Sequence, residues 1–117
     1  MTEWLARPDT AVLVAVRHCG GLCGFAEVAT RPYADGCRSS PVAFLDGWYV
    51  DPDRRGLGIG RALVLAVEEW ARDRRLEELA SDTLLDNEVS QRAHEHLGFI
   101  EVERAVRYRK PLRALSG

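Results

Sequence analysis

The sequence predicts an α+β fold: a mixed, mostly antiparallel twisted sheet flanked by helices, in a single domain covering residues 1–117. Three observations carry that prediction. Two runs rich in β-branched and apolar residues, 10–18 and 22–31, flank Gly20-Gly21 and read as a hairpin. A third apolar run, 42–50, leads through a glycine-rich turn straight into an amphipathic helix. A short strand, a second helix and two terminal strands follow, so the order is β-β-β-α-β-α-β-β. Antiparallel strands followed by β-α-β crossovers give such a sheet.

The elements follow in order along the chain. Residues 1–9 suit a short helical lead-in that stops at Pro8, because the residue before a proline avoids helix. The hairpin comes next, then the loop PYADGCRSSP, bounded by prolines and filled with turn formers. The strand VAFLDGWYV is apolar throughout except for one acid, a pattern of burial on both faces. After DPDRRGLGIG the segment 61–75 places Leu63, Ala66, Val67 and Trp70 on one helical stripe. Leu76 to Thr83 reads as a strand. Asp86 is placed to cap a helix running to Leu97, with Gly98 to end it. Residues 99–110 read as two short strands turning near Arg104.

Composition narrows the function. The 117 residues carry 16 Lys+Arg against 18 Asp+Glu, a net charge of −2, and 15 of those cations are Arg. That balance argues against a nucleic-acid surface. No stretch reaches the roughly 18 apolar residues of a membrane span. The mixed, charged start shows no secretory signal, so the expected compartment is the cytoplasm. Cys19, Cys23 and Cys37 lack the second half of a zinc pattern, and no metal is expected.

The strand–turn–helix at 44–70 carries the chemistry. Arg55-Gly56-Leu57-Gly58-Ile59-Gly60 opens the helix, and glycines allow positive φ and close approach of a ligand. The free N–H groups of the first turn, backed by the helix dipole, make an anion site suited to a pyrophosphate. A Walker loop is excluded by the absence of a lysine from this turn, and a dinucleotide fingerprint by glycines spaced two apart. Asp46, an acid inside an apolar strand, is either a general base acting through water or the partner of an arginine.

Arg55-x-x-Gly58-x-Gly60 after an apolar strand resembles the acetyl-CoA pyrophosphate motif of the GCN5-related N-acetyltransferases. Asn87-x-x-Ser90-x-x-x-His94-x-x-x-Gly98-Phe99 is similar to that family's later helix motif. Within the family, SSPVAFLDGWYV, ELASDT and VRYRKPL look most like the aminoglycoside 6′-N-acetyltransferases, across residues 10–112. The resemblance implies a three-layer fold, acetyl-CoA as cosubstrate and a polycationic primary amine as acceptor. It implies donor contacts from Trp48, Tyr49 and Val50, from Arg55 to Arg61 (Arg55, Gly56, Leu57, Gly58, Ile59, Gly60, Arg61), and from Asn87, Ser90 and His94. Asp35, Asp46 and Asp82 would meet the cationic acceptor, and His94 or Tyr108 would protonate the departing thiolate. Two features depart from the family pattern. The chain starts almost at the hairpin, without the first strand and two helices that usually precede it, and Asp46 stands where the related enzymes typically have Glu. A sheet shortened at one edge exposes strand that needs a partner, so a homodimer through 99–110, packed or swapped, is expected. Acetylation of a different amine, and acetyl-CoA binding without turnover, are the competing functions.

Overall fold

The computed structural model describes residues 2–7 and 9–113, the first six by their backbone alone. Five strands lie in chain order across one sheet: β1 Thr2–Arg7, β2 Thr10–Val16, β3 Leu22–Arg31, β4 Val42–Val50 and β5 Leu79–Ser81. The first four are antiparallel, and β5 joins β4 in parallel. Helix α1, Ile59–Asp73, crosses from β4 to β5, and α2, Glu88–His96, follows β5. A single 3-10 turn, Pro52–Arg54, stands between β4 and α1.

The core forms where one face of the sheet meets α1. Ala11, Leu13 and Ala15 of β2, Ala26 and Val28 of β3, and Ala43 and Leu45 of β4 pack on Leu63, Val64, Val67, Trp70 and Ala71. Alanine at four of those seven sheet positions lets the helix approach closely. Leu63 and Val67 are wholly excluded from solvent, and each contributes about 1.5–3 kcal/mol by transfer from water. The predicted stripe of α1 is thus its buried face, widened by Val64 and Ala71.

Several boundaries differ from the sequence prediction. Residues 2–7 are a strand, not a helical lead-in: the open edge of β2 offers a backbone ladder, and tertiary pairing overrides weak helix propensity. Met1 and Pro8, at the ends of that predicted lead-in, lie outside the described residues. Helix α1 starts two residues early, at Ile59, and the predicted strand 76–83 contracts to Leu79–Ser81. Asn87, not Asp86, caps α2, its side chain accepting from the Ser90 N–H at 3.1 Å. Gly98 does follow that helix, with φ +93°. The two terminal strands are absent: residues 99–113 carry no regular structure. A lone hairpin is marginal in water without a sheet to extend, and β5 offers only three residues.

Candidate active site

An irregularity in β4 shapes the site. Leu45 pairs with Val28 and Gly47 with Glu27, so Asp46 is an extra residue in the ladder, a β-bulge. Pairing with β5 stops at the same place, since only Ala43, Phe44 and Leu45 meet Leu79, Ala80 and Ser81. From Asp46 to Val50, β4 therefore has no strand on its β5 side among the described residues. Strand backbone on such an edge seeks hydrogen-bond partners.

The start of α1 lies beyond the end of this edge. Arg17, just after β2, binds Asp51 at 2.8 Å and Asp53 at 2.9 Å, clasping the 3-10 turn from both sides. Its guanidinium holds the Asp53 carboxyl below the usual carboxylate range. Arg55 donates from Nε to the Val50 carbonyl at 2.9 Å. Gly56 (φ +80°) and the N-cap Gly58 (φ +83°) adopt the left-handed conformation that glycine favours. Neither has an atom within 4 Å of where a Cβ would stand. No side chain caps the helix and no acid occupies its first turn, so its leading N–H groups remain free for an anion. The Trp48 indole N–H donates to the Gly60 carbonyl at 3.2 Å, fastening the helix start to β4. Trp48, Gly56, Gly58, Gly60, Arg61 and Arg92 line a shallow cleft between α1 and α2, with two cations at its rim. Leu57 is exposed beside it, and Ile59 packs on the core.

His94 sits where β5, α2 and β4 converge. Its Nδ1 lies 2.7 Å from the Ser90 carbonyl, which can only accept, so the proton resides on Nδ1. Nε2 then faces the Ser81 hydroxyl at 2.8 Å. The ring stands edge-on to Trp48 and Phe99, at centroid distances of 5.3 and 5.0 Å. Ser81 was not singled out from sequence; its signal was its place at the C-terminal end of a parallel strand, where ligands of such sheets collect.

The acids lie on two sides. Asp46 pairs with Arg31, whose guanidinium stacks 3.7 Å over the Phe44 ring. The arginine-partner reading of Asp46 therefore describes this structure, and it is compatible with a base whose partner can be displaced. Tyr49 shares that sheet face, beside Phe25, whereas Trp48 faces the core. Glu27, missed from sequence, is exposed and lies against Gly47 next to the bulge. Asp35 and Asp82 line one broad groove together with His94, Arg31 and Phe44; Asp82 is 3.9 Å from Arg107. Asp46 itself lies outside that groove, behind Arg31. Tyr108 is not brought to the site: it is 91% exposed in the segment without secondary structure, because the strand meant to position it does not form. Among the described residues no cluster of His, Cys, Asp or Glu could hold a metal ion, and no helix is long and apolar enough to cross a membrane.

A parallel strand pair that opens after three residues, beside an uncapped glycine-led helix start, offers a strand edge and free helix N–H groups to one extended ligand. Amides on such a ligand can pair with the edge, and an anionic group on it can meet the helix. Comparison with known proteins identifies the class. Residues 1–99 match the Acetyltransferase (GNAT) family, and the chain belongs to it. It is 54% identical over 108 residues to an aminoglycoside N(6′)-acetyltransferase type 1 of Klebsiella aerogenes, covering 92% of this chain and 70% of the relative. It is 47% identical over 113 residues to the enzyme of that name from Stenotrophomonas maltophilia, covering 96% and 74%. The solved structure of AAC(6′)-Iy with the bisubstrate analog CoA-S-monomethyl-acetylneamine superposes with a TM-score of 0.83 at 41% identity, covering 88% of this chain and 70% of that one.

Proposed function

We propose that this protein, acting as one domain over residues 1–117, transfers the acetyl group of acetyl-CoA to the 6′-amine of an aminoglycoside antibiotic. The observation that carries the reading is the opened β4 edge beside the glycine-led start of α1, in a chain about half identical to relatives named for that reaction. The residues fit the donor: Gly56 and Gly58 leave a cradle that a Cβ would enter, and Arg61 and Arg92 supply charge for phosphates. When bound, acetyl-CoA supplies a thioester whose carbonyl carbon the amine attacks, giving an amide and a free thiol.

The chain's own groups have distinct parts in this reading. The backbone of Trp48 to Val50 aligns the arm. Asp35 and Asp82, with Glu27 beside the bulge, provide negative charge for a polycation. Asp46 accepts the amine's proton through water once the cationic acceptor displaces Arg31. Asn87 and Ser90 act through α2, where they hold the turn that orients His94. His94 serves as proton source for the thiolate, in preference to Tyr108, in its imidazolium form: Nε2 then donates to Ser81, whereas in the neutral tautomer it accepts from that hydroxyl. Exposed Ile100, Val102, Val106 and Tyr108 alternate along 99–110 like one face of a strand, which supports a homodimer built on that segment; the compartment in this reading is the cytoplasm. Light scattering should then give the mass of two chains at micromolar concentration.

The decisive assay follows thiol release from acetyl-CoA with kanamycin or tobramycin as acceptor. Saturable release that disappears with a 6′-hydroxyl analogue supports the enzyme and its regiochemistry together. A folded chain that binds acetyl-CoA but releases no thiol would instead be a donor-binding domain.

A further inference from the structure

Glu78, immediately before β5, spends its carboxylate on a loop about forty residues earlier in the chain. One oxygen accepts from the Arg38 N–H and the Ser39 N–H, both at 2.7 Å, and from the Ser39 hydroxyl at 2.6 Å. The residue's own carbonyl accepts from the Ala43 N–H at 3.0 Å, so a single residue anchors both the loop and its return into β4. The loop in turn carries a tight turn. The Cys37 N–H reaches the Ala34 carbonyl at 3.1 Å, with Gly36 at φ +82° and Asp35 at the first corner. The Val102 side chain occupies the place where a Gly36 Cβ would stand. The other end of β5 leads to Ser81 and Asp82. A three-residue strand thus connects the anchor of one groove acid to the other acid itself.

We propose that Glu78 is a positioning residue for the acceptor: by holding Arg38 and Ser39 it presents Asp35 to the groove and so sets affinity for the cationic amine, without acting on the acetyl donor. This rests on the aminoglycoside reading above. Three donors converging on one oxygen favour the ionised acid, and the Ser39 hydroxyl foremost holds the Glu78 carboxyl below its usual range. The anchor therefore keeps its charge throughout the neutral range.

The test is steady-state kinetics with kanamycin and acetyl-CoA on the full chain, for Glu78→Ala, Glu78→Gln, Asp35→Ala and the Glu78→Ala/Asp35→Ala double variant. Glu78→Ala should raise the KM for kanamycin about tenfold while kcat and the KM for acetyl-CoA stay within about twofold. Glu78→Gln, whose amide oxygen still accepts hydrogen bonds, should recover most of that loss. Asp35→Ala should weaken kanamycin in the parent chain yet add little to Glu78→Ala, because the two act through one contact. Additive losses, or a parallel rise in the KM for acetyl-CoA, overturn the proposal. Where Glu78→Ala does not fold, Ser39→Ala replaces it in the same cycle with a smaller change in the same direction. Hydrogen exchange separates the two layers. Unchanged protection of the Arg38 and Ser39 amides in Glu78→Ala overturns the positioning role alone. A wild-type chain that neither binds nor acetylates kanamycin overturns the acceptor assignment itself.

Discussion

Replacing Gly58 by alanine separates the glycine turn's part in folding from its part in binding. Gly58 has φ +83°, and a Cβ there would meet nothing within 4 Å. The only cost to the free protein is backbone strain, about 1–2 kcal/mol for an L-residue in the left-handed region. With unfolding entropy near 2.1 cal/mol/K per residue, a chain of this length loses about 4 °C of Tm per kcal/mol. The variant should therefore melt about 4–8 °C lower and remain folded at 25 °C. Gly58 lines the cleft and is the N-cap of α1, so an added methyl group stands in open space next to the free N–H groups. Affinity for acetyl-CoA, measured by calorimetry at 25 °C, should fall at least about tenfold, equivalent to 1.4 kcal/mol. A variant that melts lower but binds acetyl-CoA within twofold of wild type would refute the reasoning, because the turn would then serve only the fold.

Further outcomes follow from other parts of the structure. Asp46→Asn should lower kcat by about 10²-fold or more while acetyl-CoA affinity stays nearly unchanged; lost donor binding in a calorimetric titration would show the residue to be misplaced. Leu63→Ala, at a fully buried position, should cost about 2–5 kcal/mol in urea unfolding, and a loss under 1 kcal/mol would mean that α1 is not the core helix. Asp53 and Glu78 both titrate lower in the folded chain than in the unfolded one. Their stabilisation is thus complete above about pH 5 and is lost as pH falls through about 4 and below. Melts between pH 6 and 3 should show that decline, and Arg17→Ala should flatten the share due to Asp53.

Much of the fold was legible because its signals are local. The apolar runs at 10–18, 22–31 and 42–50, the paired glycines at 20–21 and the stripe Leu63–Val67–Trp70 each declare an element within a few residues, the first of these strands ending at Val16. The misreadings share a different cause. Residues 2–7 are a strand only because β2 has an edge to offer, and 99–110 alternate like strands yet meet no ladder. Asp86 and Asn87 are both good caps, and which one serves depends on where the first turn reaches Ser90. The site follows the same division. Its glycines could be read in place, whereas the Arg31–Asp46 pair, the Ser81–His94 contact and the Glu78 anchor join residues that only register and topology bring together.

The bulge in β4 has a consequence for how such a site can arise. Leu45, Trp48 and Val50 all face α1, although the first is an odd position and the others are even. Remove Asp46 and strict alternation returns, with every remaining side chain on its present face. The strand is therefore an ordinary one with a single residue added. That addition supplies the carboxylate and coincides with the point where β4 and β5 part. Deleting Asp46 should leave a sheet that folds and is free to zip further along β5, closing the opening for a donor. One inserted codon lies between a plain parallel strand pair and an opened one with an acid at its mouth.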